Sequence, residues 1–157
     1  MRSARLKPME LVFLGTGGAE TTPKVGCLCR ICQEARRKGG RFVRNGPSVF
    51  LAGASVLFDT PEDADKSLER EGIHEARHLV YTHWHPDHTG GRRVLEQLNM
   101  DWLDPKGRRV TDVWLPSGFA KIFGRDMVWR RISSTSRERA LPESMRWEKQ
   151  NRFSWMA

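Results

Sequence analysis

THWHPDHTGG, residues 82–91, sets His83, His85, Asp87 and His88 within six positions. Imidazole nitrogen and carboxylate oxygen are donors that suit zinc, manganese and iron, and a catalytic ion takes about three protein ligands plus an open position for water. In an extended chain alternate residues point the same way, so His83 and His85 can converge on one ion. Asp87 and His88, beyond the turn that Pro86 enforces, can face a second. Two ions so placed hold a hydroxide at neutral pH and clamp phosphate or ester oxygens, so the pattern predicts metal-dependent hydrolysis. A lone histidine is ordinarily a surface residue; four donors at this spacing, between an apolar run and a glycine pair, ask for another explanation.

GCLCRIC adds Cys27, Cys29 and Cys32, which are all the cysteines of the chain. An odd number within six residues is a poor disulfide framework and three-quarters of a closed structural zinc site, which needs a fourth ligand. The remaining histidines, His74 and His78, read as surface or boundary residues, and Asp112 and Asp126 as isolated carboxylates.

The elements that must position these residues alternate. ELVFLGTGG (10–18) predicts a buried strand running into a glycine loop. CQEARRKGG (32–40) predicts a short helix stopped at Gly39 and Gly40. SVFLAGASVLFDT (48–60) predicts two strands around a turn at Gly53, with Asp59 at a strand end. PEDADKSLEREG (61–72) predicts a helix burying Ala64, Leu68 and Ile73. ARHLVYT (76–82) is a strand delivering the chain into the histidine loop. GGRRVLEQLNM (90–100) predicts a helix, VTDVWLP (110–116) a strand, and GFAKIF one or two helical turns. This is an α/β pattern with layered packing. After Phe123 it fades: no strand is predicted there, and a short helix near Met145 is the one element considered. The expected division is a leader over 1–8, one domain over 9–123 and a basic, poorly ordered or loosely docked tail over 124–157.

The 157 residues allow one main core. Residues 1–104 hold 15 Lys and Arg against 14 Asp and Glu, whereas residues 105–157 hold 12 against 5, so most of the net +8 falls in the second part. A basic tail is usually a solvated surface and less often a nucleic-acid contact, for which Arg130, Arg131, Arg137 and Arg139 are the candidates. No run is apolar enough to span a bilayer and no signal peptide is visible, so a cytoplasmic protein without a membrane partner is expected.

HxHxDH following a buried strand resembles the metallo-β-lactamase-fold hydrolases, with an αββα sandwich. FLGTGG, VLFDT and HTGG are similar to that family's glycine loop, aspartate-ending strand and continued metal loop, so the resemblance runs from about Met9 to Phe123. It implies that His83 and His85 bind one divalent metal and Asp87 and His88 a second, each zinc, manganese or iron. Asp87 would also steer the attacking water, and Asp59 would hold a loop histidine or the loop itself in place. The cysteine-rich insertion resembles the subgroup containing the phosphoribosyl cyclic phosphodiesterase, where such cysteines hold a structural zinc. That implies a small phosphodiester substrate, with a nuclease as the near variant. The family completes its metal site with two histidines and a bridging aspartate from its second half, and no histidine follows His88 here. The chain therefore reads as the N-terminal half of the fold, with a homodimer or a second chain as the expected source of the rest, or else as a non-catalytic zinc-binding remnant.

Overall fold

Short apolar runs with two-residue periodicity build the sheet. The computed structural model describes residues 9–100, 103 and 109–116, and residues 147–152 as backbone. The strands are β1 (Leu11–Gly15), β2 (Ser48–Leu51), β3 (Val56–Phe58), β4 (His78–Val80), β5 (Asp112–Pro116) and β6 (Trp147–Arg152). They form one mixed sheet in the order β1-β2-β3-β4-β5-β6. The β1/β2, β2/β3 and β5/β6 pairs are antiparallel, while β3/β4 and β4/β5 are parallel.

Each parallel pair needs a crossover, and helices supply it. α2 (Ala64–Arg70) links β3 to β4, and α3 (Pro86–Thr89) with α4 (Val94–Asn99) lies between β4 and β5. α1 (Arg30–Lys38) belongs to the long β1–β2 connection. Cross-strand register sets Val12, Phe50, Leu57, Leu79 and Val113 on one face of the sheet. Together with Leu14 and Leu115 they share a core with Ala64 and Leu68 of α2 and Val94 and Leu95 of α4. The opposite face carries Phe13, Val49, Phe58, Val80 and Trp114, also in register. On that face Phe13 is 61% exposed and Leu11 52% exposed.

The strand directions decide where chemistry can gather. β1, β3, β4 and β5 point the same way, so their C-terminal ends and the start of β2 share one end of the sheet, the end at which α/β folds bind ligands. Asp59 follows β3 there, and the histidine loop follows β4.

Three expectations are corrected. Pro86 starts a helical turn, α3, rather than a simple bend, because its fixed φ suits the first helical position. The next helix begins at Val94, not Gly90: a Cβ on Gly91 would collide with the Pro61 carbonyl oxygen, so the chain must pass there before it can coil. Residues 147–152 form a strand although WEKQNR shows no alternation, since pairing along β5 is made by backbone and needs no apolar pattern. The leader 1–8, GFAKIF, the stretch around Met145, Asp126 and the four tail arginines lie outside the described residues.

Candidate metal centre

Asp59 organises the histidine loop. It is buried, with φ of 58°, a left-handed conformation uncommon for a non-glycine residue and a mark of a position fixed by its surroundings. Its Oδ1 accepts the Thr82 backbone N–H at 2.7 Å, and its Oδ2 accepts the Thr82 hydroxyl at 2.7 Å. Oδ2 also lies 2.8 Å from His88 Nδ1. A carboxylate only accepts, so His88 carries its proton on Nδ1 and leaves the Nε2 lone pair for an ion.

Thr82 extends the same logic. With its proton given to Asp59, its oxygen accepts from His83 Nδ1 at 3.0 Å, which leaves the His83 Nε2 lone pair free as well. Sequence reasoning left Thr82 without a role; the signal available was a hydroxyl directly preceding the first histidine. Backbone bonds complete the clamp: Thr60 N–H donates to the His88 carbonyl and Gly91 N–H to the Thr60 carbonyl, both at 2.8 Å. Below them the buried Tyr81 and Thr60 hydroxyls bond at 2.7 Å, and burial pushes the Tyr81 phenol up, so it stays neutral.

The imidazoles cluster. His83 and His85 have ring centroids 4.7 Å apart, and His83 and His88 3.8 Å apart. His83 thus lies closer to His88 than to His85. Asp87 Oδ2 is 3.4 Å from His88 Nε2, which brings its carboxylate to the same cluster. Three neighbouring imidazoles, a carboxylate beside them and a buried acceptor behind His88 are donors whose chemistry suits a divalent metal.

The cysteines form a separate centre on the β1–β2 connection. Cys29 precedes the first turn of α1 and Cys32 lies within it, buried, while Cys27 sits just upstream. Their sulfurs all lie within 4.8 Å of one another, and among the described residues no other three His, Cys, Asp or Glu side chains are drawn together so closely. Sulfurs on a tetrahedral zinc with bonds of about 2.3 Å stand about 3.8 Å apart, so the trio fits one zinc after a contraction of about 1 Å or less. The Cys32 backbone N–H, then the Cys27 and Cys32 thiols, lower the Cys29 thiol to about 7. Cys32 is raised: the Lys24 backbone bond lowers it, but burial and the neighbouring thiols outweigh that bond. Arg36 ties the loop to the helix by donating to the Lys24 and Cys27 carbonyls.

Elsewhere, His78 sits in β4 with Nδ1 3.8 Å from Asp112, away from the histidine loop. His74 is exposed.

A solved structure described as a new diphosphatase of the PhnP family superposes with a TM-score of 0.52 at 35% identity, over 57% of this chain and 35% of that one. The chain carries part of a metallo-β-lactamase fold. Curated relatives agree over similar stretches. A ribonuclease Z of Pyrococcus abyssi is 31% identical over 98 residues, 60% of this chain and 26% of that protein. The lactamase-like protein adaB of Aspergillus niger is 39% identical over 62 residues, 33% of this chain and 19% of that protein. A Porphyromonas gingivalis protein named octanoyltransferase is 32% identical over 83 residues, 53% of this chain and 17% of that protein. The chain thus spans between 17% and 26% of these relatives' length. No protein-family model matches it. Among the described residues no helix is long and apolar enough to cross a membrane.

Proposed function

We propose that the chain contributes the metal-binding half of a metal-dependent phosphodiester hydrolase. The observation that carries this reading is the clustering of the His83, His85 and His88 rings at one end of the sheet, with His88 held from behind by Asp59. The likeness to a PhnP-family diphosphatase and to a ribonuclease Z supports phosphorus–oxygen bonds as the target.

His83, His85, Asp87 and His88 would hold one or two divalent metals, and Cys27, Cys29 and Cys32 one structural zinc. Bound there, the metals supply Lewis acidity and lower the pKa of water toward neutrality. This chain's own residues do the rest. Asp59 and Thr82 fix the tautomers of His88 and His83, so Nε2 of each is the nitrogen left to ligate. Asp87 offers an oxygen within 3.4 Å of His88 Nε2, where it can orient a water and take its proton.

The test is metal content by mass spectrometry together with hydrolysis of bis(p-nitrophenyl) phosphate. Zinc or manganese that stays bound through gel filtration, with turnover abolished in His83→Ala, is the expected result. Stable metal without turnover would point to the second reading, a zinc-binding assembly partner. That reading draws on one observation: no histidine follows His88 in the 157 residues, so further imidazole ligands would come from outside them. Copurification of a second chain that restores turnover would establish it.

A further inference from the structure

The β1–β2 connection is unusually basic. Lys24 to Arg44 hold seven Lys and Arg against one Glu, a net charge of +6, whereas the rest of residues 1–104 holds eight against thirteen, a net charge of −5. The charge balance of this part of the chain therefore conceals a sharp segregation. Local structure accounts for some of it. Arg36, Arg37 and Lys38 end α1, where cations are favoured, Arg36 binds two carbonyls, and Lys24 and Lys38 pair with Glu20 and Glu34. Arg30, Arg37, Arg41 and Arg44 are exposed and make no ion pair among the described residues. Packing this many like charges on one connection costs self-repulsion, of which a zinc held by three thiolates, at net −1, would offset only a part.

Topology sets both ends of this connection at the end of the sheet that carries the histidines. It leaves β1 and re-enters β2 at the sheet end where Asp59 and the histidine loop lie. The β1 and β4 exits are three strand spacings apart, about 14 Å. One small phosphodiester at the histidines would not reach that far, and a strand of several nucleotides would. On the histidine loop itself, Trp84 is 52% exposed, with its ring 4.8 Å from that of His85 and interplanar angle 77°. An exposed indole beside the candidate centre is a platform on which a base can stack.

We infer that the cysteine-bearing connection is the binding surface for a single-stranded nucleic acid, with Arg30, Arg37 and Arg41 on its phosphates and Trp84 stacking a base next to the histidine centre. The binding surface stands on charge and topology; only the placing of a phosphodiester at the histidines rests on the proposed activity.

The experiment is fluorescence anisotropy of a fluorescein-labelled 12-nucleotide oligoadenylate with the full chain, across a salt series. Binding should weaken with log–log slope near −2 to −3, as about three to four neutralised phosphates require. Arg37→Glu/Arg41→Glu should weaken it at least tenfold and Trp84→Ala about fivefold or more, with unchanged circular dichroism. Arg37→Lys/Arg41→Lys should stay within about threefold of the parent, as a phosphate contact based mainly on charge predicts. His83→Ala should lose phosphodiesterase turnover while its remaining binding stays sensitive to Arg37→Glu/Arg41→Glu, so failure of the activity and failure of the surface are read separately. Absence of binding, indifference to the Arg37→Glu/Arg41→Glu change, or a loss seen instead with Arg130→Glu/Arg131→Glu would overturn the inference.

Discussion

The cysteine centre and the histidine centre are assembled in opposite ways. The three cysteines span six positions and are gathered by one turn of α1 and the loop leading into it. The histidines also span six positions, yet their orientation depends on Asp59, which arrives from β3, 29 positions before His88. One centre is a local structure that a peptide can begin to form. The other exists only when the parallel β3/β4 pair is in register. The lesson is that equal compactness in sequence hides unequal dependence on the fold.

The largest expected effect follows from that dependence. Asp59→Asn should lower metal affinity at the histidine loop by about 10- to 100-fold and cost about 2 kcal/mol of stability, since His88 and Thr82 lose a charged acceptor. Metal titration and denaturant unfolding measure the two, and an unchanged affinity would mean the loop orients itself. Cys29→Ala should remove one zinc per chain while leaving affinity at the histidine loop within about twofold, because the two centres share no ligand. Loss of both metals in that variant would tie them into one cooperative unit.

Gly91→Ala probes the same clamp through backbone alone. Its Cβ meets the Pro61 carbonyl, and a cost of about 1–3 kcal/mol is expected, read by thermal melting. A stability equal to that of the parent would show that the β3 exit can shift without loss. The smallest effect concerns the cysteines. The thiolate of Cys29 is favoured by its hydrogen bonds, so it persists above about pH 7 and is lost below it. In metal-free protein, alkylation of Cys29 by iodoacetamide, followed by peptide mass spectrometry, should rise through a midpoint near pH 7. A midpoint near the ordinary thiol value of about 8.5 would mean the cysteine loop is not preorganised.

Much of the frame was legible because its determinants are local. Apolar alternation in LVFLG, SVFL and DVWLP marks β1, β2 and β5, and the glycines after Lys38 mark the end of α1. The strand at Trp147–Arg152 was not legible, because backbone pairing to β5 leaves no mark on side-chain pattern. The basic character of the β1–β2 connection is legible in the sequence, from Gly26 to Arg44, but not which end of the sheet it opens on.

The sequence by itself determined the donor types, their spacing and the strand that carries them to the loop, since these follow from residue identity and short-range periodicity. Only the tertiary structure decided that Asp59 and Thr82 set the histidine tautomers, and that the basic connection opens at the same end of the sheet as the histidines. Hydrogen bonds between strands, and the direction in which each strand runs, are relations between distant segments. No window of neighbouring residues contains them.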